Sequence, residues 1–370
     1  MIPIFKPSYT QEEIDSVSEV IKSGWWGSGP KSKEFESKFR EYIGCGYAVA
    51  VSSGTAALHL AGKVLGLKKR DEVIVPALTF ISTAYIADYN DANVVFADVE
   101  PDTLNIDPED IRKKITPNTK AIVVVHFGGH PCRMDEIMDI ARENNLIVIE
   151  DCAHAAGGEY NGRRLGAIGD IGCFSFQAVK NMATGDGGMF TTNNKEYADA
   201  VQKLKWLGIN TDTSERTKRD QYSWKYVIDR VGYKFQMCDI LAGLGVVQLK
   251  RLGEMNKKRK EITKRYNNDL KDVGWIETPV EKEYAKSANH NYVIKINADR
   301  EKFMLYLKEN GIASGVHYMP LYLHPVYKDK KADCPVTDKV WKKLVTLPLF
   351  PDMGEEEIRR VIDHVKGFKE

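Results

Sequence analysis

An α/β fold is what the sequence predicts, built on a mostly parallel central sheet flanked by helices and followed by a smaller C-terminal α+β domain. Three observations carry this. From about residue 45 to 195, short β-branched apolar runs alternate with stretches of helical spacing, the pattern of a parallel sheet with crossover helices. Several of those runs are apolar throughout, as strands covered on both faces should be. After Asp239 the texture changes to one long helical stretch and a few isolated strands and helices.

The elements follow in order. Thr10-Gln11-Glu12-Glu13 is a capping box, Ile14, Val17, Val20 and Ile21 continue it at helical spacing, and Gly24 stops it. Strands are expected at Ala48–Val51, Val73–Val75, Val94–Ala97, Ala121–His126, Leu146–Glu150, Gly172–Phe176 and Gly188–Thr192, with helices between, such as Met134–Asn144. Asp239 to about Leu270 reads as one helix, apolar first (Ile240, Leu241, Leu244, Val247) and then basic (Lys257 to Lys260, Lys264, Arg265). Acidic Glu254, Glu261 and Asp269 flank the basic run, which favours a solvated face over a polyanion site. Asn291–Ile296 and Gly315–Tyr318 look like strands, Arg300–Glu309 and Glu355–Lys366 like helices. The expected division is a large domain over residues 1–250 and a small one over 251–370, with the N-terminal segment packing on the small domain or an interface.

Composition narrows the function class. With 370 residues, 43% hydrophobic, 28% charged and a formal net charge of +1, the balance favours neither nucleic acid nor an anionic membrane. The first residues lack the basic-then-apolar layout of a signal peptide, and apolar runs such as Ala121–Val125 are far too short for a bilayer. A cytoplasmic protein is expected. The six cysteines form no CxxC pair, against both a disulfide framework and a structural zinc site.

Four features bear on chemistry. Ser52-Ser53-Gly54-Thr55-Ala56-Ala57-Leu58 follows a strand and opens a helix, so its backbone N–H groups and helix dipole suit a phosphate, though a tight turn alone explains it equally well. Asp151 ends a predicted strand, where ligands bind in open α/β sheets; it suits a protonated ring nitrogen, or a helix N-cap. Gly172–Val179 is a largely apolar stretch that delivers Lys180, just before the flexible Thr184-Gly185-Asp186-Gly187-Gly188. A lysine near buried surface has a lowered pKa, as a Schiff-base nucleophile needs, although most lysines are merely solvated. Phe80 stands just past another strand, ready to stack on a planar group or to fill a core. Together the four are the parts of a pyridoxal 5′-phosphate (PLP) site. No GxGxxG follows a strand, and there is no GxxxxGK[ST] and no metal-spaced His pair, so no metal is expected.

The order and wording of these segments resemble the DegT/DnrJ/EryC1/StrS family of PLP-dependent nucleotide-sugar aminotransferases, of fold type I in the aspartate aminotransferase superfamily. The resemblance runs from Gly24-Trp25-Trp26-Gly27-Ser28-Gly29-Pro30 through Ser53-Gly54-Thr55, Pro76–Phe80 and Glu150-Asp151-Cys152-Ala153-His154-Ala155. It continues through Phe174–Gly188 and Gly232-Tyr233-Lys234-Phe235 to His317-Tyr318-Met319-Pro320-Leu321. It implies that Lys180 is the Schiff-base lysine and that Asp151 partners the pyridine nitrogen. Phe80 would stack on the ring and His154 would lie near its 3-hydroxyl. Gly54, Thr55, Ala56 and Ser175 would hold the phosphate, with Asn181 also among the cofactor-binding residues. Relatives carry Asn or Arg at the position of Gln236, which reaches the neighbouring subunit's phosphate; a longer Gln departs from that pattern. Trp26 and Tyr318 would line the sugar site.

The implied reaction moves an amino group from glutamate to a nucleotide-linked keto-deoxy sugar, with C4 slightly favoured over C3 and PLP cycling through pyridoxamine 5′-phosphate. It would serve amino-sugar, surface-polysaccharide or glycan biosynthesis. A homodimer with shared active sites is implied too. The rivals are a PLP- or PMP-dependent sugar dehydratase of the same family, in which a His replaces the lysine, and a PLP-binding regulator without catalysis. Lys180 counts against the first, and the lack of a DNA-binding appendage against the second.

Overall fold

The computed structural model describes residues 1–209 and 226–369. Its main sheet has seven strands, in the order Tyr47–Val51, Gly188–Thr192, Ile171–Ser175, Ile147–Asp151, Thr119–Val125, Glu72–Pro76, Asn93–Ala97. Six run the same way, and Gly188–Thr192 alone runs against its two neighbours. All seven coincide with the apolar runs of the sequence.

Alternation along the strands explains why those runs are apolar throughout. Ile74, Ile122, Val124 and Val148 enter one core, with Phe35, Phe39, Phe174 and Phe176. Their neighbours Val73, Val75, Ala121, Val123 and Ile149 enter the core on the opposite face. Both faces are therefore dry. The parallel arrangement brings the carboxyl ends of Tyr47–Val51, Glu72–Pro76, Thr119–Val125, Ile147–Asp151 and Ile171–Ser175 to one edge, where an open α/β sheet holds its ligands.

A third core surrounds a three-stranded antiparallel sheet, Ile276–Glu277, Tyr292–Ile296, Leu344–Leu347. The helix Asp239–Leu270 joins the first core to the third: Leu249, Leu252 and Met255 pack into the first, Ile262, Tyr266 and Leu270 into the third. Ile2 also enters the third core and bridges to Ile312. The first helix, Gln11–Ser23, carries the capping box at Thr10 and Glu13 and ends on a left-handed Gly24.

Two expectations need correction. Gly315–Tyr318 is not a strand: Gly315 alone pairs, with Thr346, and the chain then leaves the sheet edge toward the ligand edge of the main sheet. The third strand of the small sheet, Leu344–Leu347, was not foreseen. The basic run is also not wholly solvated, because Arg259 is 4% exposed. Among the described residues, no helix is long and apolar enough to cross a membrane.

Candidate active site

At the carboxyl edge of the main sheet lies a cavity of about 470 Å³, and five strand ends contribute to its wall. The first supplies an anion cradle. Ser53 caps the helix Gly54–Val64 by accepting from Ala56 N at 3.0 Å, which leaves the helix N-terminus facing the cavity. A Cβ at Gly54 would stand 2.8 Å from Ser175 Cβ, so only glycine lets these two segments meet. The Thr55 hydroxyl, 2.8 Å from Ser82 Oγ, and the Ser175 hydroxyl complete a wall of small donors. Such a wall takes a phosphate.

Asp151 ends its strand 5% exposed. Its Oδ2 accepts from Thr83 Oγ1 at 2.8 Å and its Oδ1 from Ala153 N at 3.1 Å, while Thr79 Oγ1 lies 2.9 Å behind Thr83. Burial raises its pKa, and the bonds from Thr83 and Ala153, with the charge of Lys180, offset only part of that. What this carboxylate lacks is a directly paired cation, which a protonated ring nitrogen supplies.

Lys180 stands on the turn between Ile171–Ser175 and Gly188–Thr192. Backbone bonds close the base of that turn: Phe176 N to Gly187 O at 2.9 Å, Thr184 N to Phe176 O at 2.8 Å and Ala178 N to Gly185 O at 2.9 Å. The amine reaches the cavity wall. Burial lowers its pKa to about 8, against the pull of Asp151 in the other direction. An amine so placed is partly neutral near physiological pH and able to act as a nucleophile or base.

The remaining wall is aromatic. Phe80 is 56% exposed on the rim, 6.1 Å from the Tyr318 ring. His154 is buried, its Nε2 3.1 Å from Tyr318 Oη and its Nδ1 without a protein partner. Burial, then the charges of Lys180 and His317, hold its pKa well below the usual imidazole value, so the ring is neutral. His317, with Nδ1 2.7 Å from Thr346 Oγ1, is pushed down to about 4, by burial first and Lys180 second.

These residues fit PLP. A cradle of small donors suits its phosphate, a buried carboxylate its ring nitrogen, an exposed flat ring its face and an orphaned buried imidazole nitrogen its phenolic oxygen. The cavity brings together Gly54, Thr55, Phe80, Asp151, His154, Ser175, Lys180 and Tyr318. It does not include four other expected residues. Ala56 spends its N–H on the Ser53 cap. Asn181 turns away from the cavity, its amide taken up by Asn256, Ala288 and His290. Gln236 bonds Lys234 at 2.8 Å and lines a separate recess with Ser28 and Trp206, so it lies outside this chain's own cavity. Trp26 is 56% exposed and donates to Ile21 O.

The sequence reading missed Phe5, Thr79, Ser82, Asp186 and His317 in the wall, and Thr83 behind Asp151. Thr79 stood inside the quoted Pro76–Phe80 segment. Phe5 comes from the far N-terminus and carries no local signal. His126, Glu150 and Cys152 lie close together below the site. Hydrogen bonds already use the ring nitrogens of His126 and both oxygens of Glu150.

Residues 7–366 match the DegT/DnrJ/EryC1/StrS aminotransferase family. The chain is similar to the spore coat polysaccharide biosynthesis protein SpsC of Bacillus subtilis, 41% identical over 99% of this chain and 96% of the relative. Among solved structures it superposes on the aminotransferase TlmJ from Streptoalloteichus hindustanus with a TM-score of 0.93, at 33% identity over 99% and 98% of the two chains. The PMP form of the putative sugar aminotransferase Spr1654 from Streptococcus pneumoniae gives 0.93 at 32% identity, again over 99% and 98%.

Proposed function

The chain belongs to the DegT/DnrJ/EryC1/StrS aminotransferase family, and from that premise we propose that it moves an amino group from glutamate to a nucleotide-linked keto-deoxy sugar, with C4 favoured over C3. The observation that supports this best is that one cavity faces the Lys180 amine, the Asp151 carboxylate and the N-terminus of the helix Gly54–Val64. PLP, passing through pyridoxamine 5′-phosphate, is the cofactor of such an enzyme. A product destined for a surface polysaccharide or glycan agrees with the name of the Bacillus relative.

When bound, PLP supplies a sink for the electrons left behind as the amino donor loses its α-proton. The chain's own residues do the rest. Gly54, Thr55 and Ser175 bind the phosphate. Asp151, tied by Thr83 and Ala153, would hold the ring nitrogen in its protonated form. Lys180 would be the covalent anchor and the base that takes the proton from the donor's α-carbon and, in the other half-reaction, gives one to the carbon that receives the amine. Its pKa of about 8 suits both directions of that transfer. Phe80 covers one face, and Tyr318, bonded to His154, borders the space left for the sugar.

Several further readings belong to the same proposal. The chain works in the cytoplasm as a homodimer, and Gln236 and Trp26, remote from this chain's cavity, serve across the subunit boundary. The two domains are 1–250 and 251–370, joined within the long helix that packs into the first and third cores.

Two measurements test it. Added glutamate is expected to convert the visible band of the purified holoenzyme to the pyridoxamine form; a band that glutamate does not shift would remove glutamate as the donor. Asp151→Asn is expected to retain cofactor but lower turnover by roughly 10²–10⁴-fold, because a neutral amide does not hold the ring nitrogen protonated. An unchanged rate would take Asp151 out of its role.

A further inference from the structure

Arg259 is out of place. It is 4% exposed in the middle of a helix and makes no ion pair among the described residues; Asp352 acts on it only from longer range. Its Nε has no partner, and Nη1 donates only to the backbone carbonyl of Asn181, at 3.4 Å. A buried cation without a counter-ion in contact costs stability, and an apolar residue of similar volume removes that cost. Its presence therefore calls for another reason.

That reason lies in what it touches. Asn181 follows Lys180 directly, and its side chain points away from the cavity into a closed network. Nδ2 donates to Ala288 O at 2.7 Å, a carbonyl that can only accept, and to Asn256 Oδ1 at 2.8 Å. The amide orientation is thereby fixed, so Oδ1 accepts from His290 Nδ1 at 2.9 Å and that nitrogen must carry the proton. His290 in turn stacks on His154 at 4.5 Å, with Phe5 stacked on it at 5.2 Å; His154 and Phe5 both line the cavity. Two residues further along the lysine's turn, Ala183 N donates to Gln248 Oε1 at 3.1 Å. Gln248, Asn256 and Arg259 share one face of the helix Asp239–Leu270. A single polar stripe thus grips the turn that carries Lys180, and residues 288–290 hold it from the other side.

We propose that Arg259, Asn256 and His290 act through Asn181 as a clamp that positions Lys180, and that the unpaired guanidinium is retained for this role. The proposal rests on the reading that Lys180 holds the cofactor. A loosened turn admits water around the lysine nitrogen, and water favours its protonated form.

The test is a pH titration of the visible cofactor band in holoenzyme, beside thermal unfolding and steady-state kinetics. In Arg259→Met the band's apparent pKa is expected to rise by about one pH unit. The same variant should show an unchanged or higher Tm and a kcat lowered about tenfold at nearly constant KM. Arg259→Lys, which keeps the charge, should restore most of the band's pKa. Asn181→Leu should move the band in the same direction, and Arg259→Met decides the matter should Asn181→Leu fail to fold. If Arg259→Met titrates like the wild type, or lowers Tm without moving the band, the clamp is overturned. If the wild type shows no cofactor band at all, the reading of Lys180 falls, and the clamp with it.

Discussion

Lys180→Ala is expected to lower turnover by at least about 10⁴-fold while leaving the fold intact. The size of the loss follows from the two duties proposed for one nitrogen, anchoring the cofactor and carrying the proton at the donor's α-carbon. Among the described residues, no other amine lines the cavity to take over. The neighbouring imidazoles are poor substitutes, because burial holds His154 and His317 well below the pKa of a useful base. Stability should behave differently. Burial lowers the lysine's pKa to about 8, so below that pH its charge works against the folded, cofactor-free chain, and alanine removes that penalty. A Tm at or above the wild-type value, with turnover gone and the visible band shifted to that of unattached PLP, would separate chemistry from folding. Residual turnover above about 1% of wild type would remove Lys180 as both anchor and base.

Position in the chain explains why parts of this site are legible in the sequence. Asp151 and Ser175 each end a run apolar enough to be a two-sided strand, and the end of such a strand is where a parallel sheet holds its ligand. The turn after Tyr47–Val51 announces itself by its small residues, and the Gly54–Ser175 approach gives the physical reason for them. Adjacency in sequence misled in two places. Asn181 was grouped with Lys180, yet its side chain leaves on the other side of the chain, toward the long helix. Ala56 was grouped with Thr55, yet its N–H closes the cap rather than facing the cavity. Gly315–Tyr318 has strand-like residues, but a strand needs a partner along its length. Only Gly315 finds one, and the departure carries His317 and Tyr318 into the wall. Arg259 lay hidden in a basic run whose neighbours Lys257 and Lys264 are exposed, although its helical spacing from Leu252, Met255, Ile262 and Tyr266 puts it on the buried face.

The residue beside Asp151 carries the largest expected effect on stability. Glu150 is fully buried. Its Oε1 accepts from Ile168 N at 2.8 Å and Gly169 N at 2.7 Å, its Oε2 from Gly166 N at 2.9 Å and His126 Nε2 at 3.0 Å. Because His126 Nδ1 accepts from Cys132 N, Nε2 is the protonated nitrogen, and all four partners are donors. Glu150→Gln sets an NH₂ group against two of these donors in either amide orientation, and is expected to cost about 3–5 kcal/mol in urea unfolding. Burial alone would raise the carboxyl's pKa, but the hydrogen bond from His126, followed by the backbone donors, brings it below the ordinary value. The sign of the pH dependence follows. The contribution is present above the unfolded glutamate pKa, about 4.3, and is lost as the pH falls through the lower folded value. Wild type and Glu150→Gln should therefore differ most near neutral pH and converge in acid. A gap that widened as the pH fell below about 4 would contradict an ionised Glu150 in the folded state. The variant should also weaken cofactor retention, since the loop Gly166–Gly169 and the strand that ends in Asp151 are joined through this one carboxylate.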